Sequence, residues 1–164
     1  MMVRSRPCGC GVTVWLTGLP SAGKSTIARV LADRLRAEGH QVQVQVQVQV
    51  QVLDGDEMRT SLSSGLGFGR RDRDTNVRRV GLVAEVLVRN GLIVLVPVIA
   101  PYADSRNAVR QRHEKNGAHF LEVHVATPVA VCSVRDVKGL YARQPVAESV
   151  SLLRGLLAEK RFVA

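Results

Sequence analysis

At 164 residues, 46% hydrophobic and 23% charged, the chain has the size and composition of one soluble domain with a real core, a unit running 1–164 whose residues 1–11 are expected to form a disordered tail. No apolar run approaches the ~20 residues that cross a bilayer, and the basic stretch 1–6 lacks the apolar core of a signal peptide, so no membrane partner and cytoplasmic residence are expected. A net charge of +9 suits polyanionic ligands, but 4% aromatics offer few stacking platforms for nucleic acid, and three cysteines make neither a disulfide framework nor a zinc site.

The first strand is expected over 12–17, apolar or β-prone. It runs into Gly18-Leu19-Pro20-Ser21-Ala22-Gly23-Lys24-Ser25, which fits the P-loop pattern of Gly, four residues, Gly-Lys-Ser. Gly18 and Gly23 permit backbone angles that aim several N–H groups at a phosphate, and the helix beginning near Lys24 adds its positive dipole end. Lys24 can reach β- and γ-phosphates, and the Ser25 hydroxyl can ligate Mg²⁺. A bare Gly-rich turn is the alternative, and the strand–loop–helix context weighs against it. The chain is therefore expected to bind a nucleoside triphosphate.

The first helix is expected over 24–38, with Ile27, Val30, Leu31 and Leu35 on its buried face and Gly39 as its stop. Gln-Val repeated six times over 41–52 reads as an overlong edge strand, Val inward and Gln outward, without chemistry of its own. Leu53-Asp54-Gly55-Asp56 then ends that strand, expected beside the P-loop strand. Its two carboxylates emerge where parallel sheets place ligands, as candidates for metal-water ligation or a base. Capping of the next helix is the alternative, for Asp56 more than for Asp54.

Gly65-Leu66-Gly67-Phe68-Gly69 reads as an exposed, mobile loop, followed by the charged run 70–74 and a helix over 75–90 carrying Val77, Val80, Ala84 and Leu87. A solvated helix start is the plainer account of Arg70 and Arg71. Further elements are a buried strand over 92–99, awkward at Pro97, a polar helix over 103–116, a strand over 120–126, a helix starting at Pro128, and a last helix over 146–159. Strands alternating with helices imply an α/β fold with a parallel sheet covered on both faces.

Several of these segments together resemble adenylyl-sulfate kinase, which phosphorylates adenosine 5′-phosphosulfate (APS). They are residues 18–26, 53–59, Leu66-Gly67-Phe68, the run Arg71-Asp72-Arg73-Asp74-Thr75-Asn76-Val77-Arg78-Arg79, Pro101-Tyr102, and 135–141 with its Lys138-Gly139-Leu140-Tyr141. The resemblance implies a three-layer P-loop NTPase fold of the nucleoside-monophosphate-kinase kind. It also implies transfer of the γ-phosphoryl of ATP to the 3′-hydroxyl of APS, as in sulfate assimilation.

By that resemblance Lys24, Asp54 and Asp56 are catalytic: Asp54 orients or deprotonates the hydroxyl, and Asp56 supports the water shell of Mg²⁺ on Ser25. ATP lies along Gly18 to Thr26, Thr26 included, with Arg135 in a lid. APS is held by Asp54, Arg59, Phe68, Arg73, Asn76 and Lys138, with Phe68 stacking on adenine. Bidentate arginines suit a phosphosulfate, although Phe68 as core filling and Arg73 as a solvated residue are the plainer readings. A homodimer is left open.

The chain departs from the family at three places. A serine proposed to carry a phosphoryl intermediate is here Ala100, leaving direct transfer, and an arginine after Pro-Tyr is here Ala103. After Ala142 the family continues with a basic lid, a Phe-Thr-Gly stretch that gives adenine its second aromatic face, and a last strand; this chain passes almost at once to Pro145. A non-catalytic ATP-binding relative, or a kinase for another small alcohol, are the alternatives.

Overall fold

A computed structural model describes residues 11–41 and 50–136. The N-terminal tail, Cys8 and Cys10, residues 42–49 of the Gln-Val tract, Lys138, the segment after Ala142 and the last helix lie outside the described residues.

Four parallel strands, β1 (Val12–Thr17), β2 (Val50–Val52), β3 (Ile93–Pro97) and β4 (His119–His124), form one sheet in the order β2-β3-β1-β4. Pro97 closes β3 opposite Leu16, at the strand's last position, where its missing N–H interrupts no further ladder. The acid-bearing strand β2 does not lie beside the P-loop strand; β3 stands between them, because the chain crosses over one strand position before returning. Of the edge strand expected over 41–52, only 50–52 is described as strand, with Val50 buried and Gln51 exposed, and β2 is an outer strand among the described residues; Gln41 instead ends α1.

One face of the sheet carries α1 (Lys24–Gln41), which packs on β2 and β3 and covers Leu16, Leu95 and Val50. Its sheet-facing stripe is Ala28, Leu31, Ala32 and Leu35, whereas Ile27 and Val30 are 44% and 52% exposed. Leu31 and Leu35 thus face the sheet as expected, whereas Ile27 and Val30 lie on the flank; Ala28 and Ala32 complete the stripe and let the helix approach the sheet closely. Nor does Gly39 end the helix, which runs on to Gln41; a helical glycine costs only about 1 kcal/mol, a tolerable loss in a packed helix.

The opposite face carries α3 (Arg70–Arg89) and α4 (Ala103–Lys115) over Trp15, Val94 and Val96, with Val77, Val80, Ala84 and Val109 as their contribution. Helix α3 begins five residues before its expected start, since Gly69 caps it and the charged run forms its first turn. The two helices approach closely at Gly81, where a Cβ would sit 2.6 Å from Val109 Cγ2. Buried Glu85 ties them through Arg112 and through Asn116 at 2.9 Å. Short α2 (Gly55–Thr60) follows β2, and α5 (Val129–Val134) follows β4 with Pro128 as its N-cap rather than its first residue. No helix among the described residues is long and apolar enough to cross a membrane.

Candidate active site

All four strands run in one direction, so the loops after them gather at a single edge of the sheet. The loop after β1 is the Gly-Lys-Ser segment. Its backbone takes the left-handed angles the motif needs, with φ of 140° at Gly18, 57° at Ser21 and 91° at Gly23. Gly18 has a second reason to be glycine: a Cβ there would lie 2.6 Å from the carbonyl oxygen of Val125. The loop after β4 props the cradle, since Val125 N donates to Thr17 O at 2.8 Å and Thr127 Oγ1 donates to Ala22 O at 2.9 Å. Sequence reasoning passed over Thr127, which sits 105 positions from its partner.

Lys24 is the first residue of α1 and only 7% exposed, and its Nζ donates to Gly18 O at 3.0 Å and Leu19 O at 2.6 Å. The ammonium is thus held over the loop's own carbonyls. Ser25 follows in the same helical turn, half-buried, with Thr26 exposed beyond it.

After β2, Asp54 rather than Asp56 is the N-cap of α2, accepting from Asp56 N at 3.1 Å, which reverses the expected weighting. Asp56 stands exposed in the first turn. The other Asp54 oxygen faces Arg29 Nη2 of α1 at 3.5 Å, so the helix that begins at Lys24 also reaches the acid two strands away.

The third component is the loop before α3. Phe68 is 67% exposed, which removes the core-filling reading. Arg59 stands 4.5 Å over its ring and donates to Gly67 O at 3.2 Å; Arg73 lies 5.8 Å from the ring and donates Nε–H to Phe68 O at 2.7 Å. Gly67 N donates to Asp72 at 3.1 Å. Three side chains therefore tie down a loop that the sequence presented as mobile. Asn76 is 4% exposed, and its Oδ1 is buried without a hydrogen-bond partner among the described residues. The structure thus brings Lys24, Ser25 and the rest of the cradle to one edge with Asp54 and Asp56, and groups Arg59, Phe68 and Arg73. Arg135 is the exposed C-cap residue of α5.

After β3, the Pro101-Tyr102 turn is fixed by side chains the sequence did not single out. Arg106, 5% exposed, donates to Ala100 O and to Glu122, both at 2.7 Å, and Arg110 grips the second Glu122 oxygen at 2.5 Å. Tyr102 lies under Arg70 at 4.6 Å, and Arg70 pairs with Asp104. On the same side, the Ser105 hydroxyl donates to Asp74 at 2.6 Å; that bond, with Arg78 and Arg70 adding to it against partial burial, holds the carboxyl below its usual 3.8.

The sequence profile of the family described as "Adenylylsulphate kinase" matches residues 10–155. The chain belongs to that family. A probable adenylyl-sulfate kinase of Synechocystis sp. is 53% identical over 133 residues, 81% of this chain and 68% of that protein. The adenylyl-sulfate kinase of Rippkaea orientalis is 50% identical over 138 residues, 84% of this chain and 70% of its own. Among solved structures, the Mycobacterium tuberculosis APS kinase in complex with AMPPNP and APS superposes with a TM-score of 0.74 at 41% identity, covering 84% of this chain and 75% of that one. A hexameric APS kinase from Thiobacillus denitrificans gives a TM-score of 0.60 at 36% identity, over 94% of this chain and 30% of that one. The parallel sheet with its glycine cradle is accordingly the P-loop NTPase fold.

Proposed function

We propose that this family member transfers the γ-phosphoryl group of ATP to the 3′-hydroxyl of APS, giving 3′-phospho-APS and ADP. The observation that carries the reading is the placement of the lysine-bearing cradle and the Asp54 carboxylate at one edge of one sheet, joined through α1.

In this reading the backbone N–H groups of the loop, Pro20 excepted, bind the triphosphate, and Lys24 exchanges its loop carbonyls for β- and γ-phosphate oxygens. Asp54 accepts a hydrogen bond from the 3′-hydroxyl and takes its proton as the hydroxyl oxygen bonds to the γ-phosphorus and the bond to ADP breaks. Phe68 presents its ring face to the adenine of APS, while Arg59, Arg73, Asn76 and Lys138 hold the ribose and phosphosulfate. With alanine at position 100, transfer is direct.

The donor set fits a hydrated Mg²⁺: Ser25 supplies a hydroxyl and Asp56 an exposed carboxylate, and no group of three His, Cys, Asp or Glu among the described residues encloses a metal. Ser25, with Asp56 acting through water, would hold the Mg²⁺, which would supply charge neutralisation on the triphosphate.

An ADP-release assay with ATP and APS tests the proposal. Turnover should require APS, and Asp54→Asn should lower kcat by about 10²–10⁴-fold, the usual worth of a positioned base. ATP binding with no APS-dependent turnover in the unaltered chain would overturn it.

A further inference from the structure

We propose that Arg29 is a positioning residue for this reaction, holding the Asp54 carboxylate at a set angle to the P-loop helix; the inference rests on the reading of Asp54 given above. A carboxylate fixed through one oxygen can still pivot about that bond. Asp54 is contacted at both oxygens. Its Oδ1 accepts from Asp56 N at 3.1 Å, and its Oδ2 faces Arg29 Nη2 at 3.5 Å. The anchors come from different elements, α2 and α1, so together they define the plane of the group.

The second anchor is informative because of where it begins. Helix α1 carries Lys24 and Ser25 in its first turn and Arg29 in its second. One stiff element thereby bears both the grip on the phosphoryl donor and the tether on the acid that serves the acceptor. Since β3 lies between β1 and β2, no direct strand pairing sets that relation.

The energetics point to orientation rather than stability. The Arg29 side chain is 70% exposed against 15% for Asp54, and ion pairs with so exposed a partner contribute little to folding. The 3.5 Å separation is also longer than a charge-assisted hydrogen bond, and an ionised carboxylate offers about four lone-pair sites, so Oδ2 retains acceptor capacity for a hydroxyl. In phosphoryl transfer, where positioning supplies much of the rate, loss of such a tether is expected in kcat.

The test is steady-state kinetics with ATP and APS on the full chain, with thermal midpoints recorded beside them. Arg29→Ala should lower kcat about tenfold with KM for ATP changed less than about twofold, and Arg29→Lys should recover most of the loss. In an Asp54→Asn background, Arg29→Ala should lower the residual kcat by less than about twofold, because the residue acts through that carboxylate. Arg29→Gln, which keeps the stem without the charge, serves as second variant should alanine lower the thermal midpoint. Unchanged kcat in both neutral variants, or an equal loss in the Asp54→Asn background, overturns the inference while normal turnover of the unaltered chain leaves the kinase reading standing. No APS-dependent turnover in the unaltered chain overturns both.

Discussion

Two glycines of the cradle are required for different reasons, and the difference is measurable. At Gly23 the constraint is dihedral alone: φ is 91° and a Cβ would meet nothing within 4 Å. At Gly18 a φ of 140° is joined by a Cβ contact of 2.6 Å with the backbone of Val125, which cannot step aside without disturbing β4. Gly23→Ala should therefore cost about 1–2 kcal/mol and keep weakened ATP binding. Gly18→Ala should cost more and abolish the thermal shift produced by ATP; a shift equal to that of the unaltered chain would contradict this. Both glycines were legible in the sequence because the motif is local. The tether from Arg29 to Asp54 was not, since it joins positions 25 apart and no spacing rule connects an exposed arginine to a later acid.

At the scale of elements, α4 is fastened to the sheet by buried polar contacts that make stability depend on pH. His113 is fully buried between β1 and β4: its Nδ1–H donates to Val109 O at 2.8 Å, leaving Nε2 to accept from Thr13 Oγ1 at 3.0 Å, with Phe120 edge-on at 5.1 Å. Burial pushes its pKa below the usual 6.5, outweighing the backbone bond to Val109 and the nearby Glu85, and Arg112 pushes the same way as burial. The folded state then binds fewer protons than the unfolded state, so this contribution is complete above 6.5 and is lost as pH falls below it. Urea midpoints should drop between pH 7.5 and 5.5, and His113→Gln, which does not titrate, should show a shallower drop. Glu122→Ala should cost about 3 kcal/mol in urea unfolding, because it strands the buried Arg106 guanidinium and loosens the turn at Ala100. Helix α4 itself was legible as a polar helix, but nothing in its pattern said that Arg106 or His113 points inward.

For the whole molecule, the alternation of strand and helix implied a parallel sheet with both faces covered, and that is the architecture. The order of strands was not legible, and with it went the expectation that Asp54 stands beside the P-loop strand. The Gln-Val tract tests the same level of organisation. Eight residues separate the end of α1 from the start of β2. Helix-to-strand connections commonly take ~2–6 residues, and a two-residue repeat preserves which face Val50 presents. Removing two repeats should therefore leave the urea midpoint and ATP affinity unchanged, with better solubility. Loss of ATP binding on removal of two repeats would show that the tract supports the site.

What the sequence determined by itself was whatever depends on neighbours in the chain. The glycine cradle with its lysine, the alternating elements, and the acids and arginines that resemble the kinase family are all written in runs of a few residues. Tertiary structure alone decided that Ala28 and Ala32 rather than Ile27 and Val30 complete the sheet-facing stripe of α1, that Phe68 is braced by Arg59 and Arg73, and that one helix spans from Lys24 to the Asp54 carboxylate. These depend on strand order and on close approach between distant segments, and burial of area rewards many such arrangements almost equally until the whole sheet is assembled.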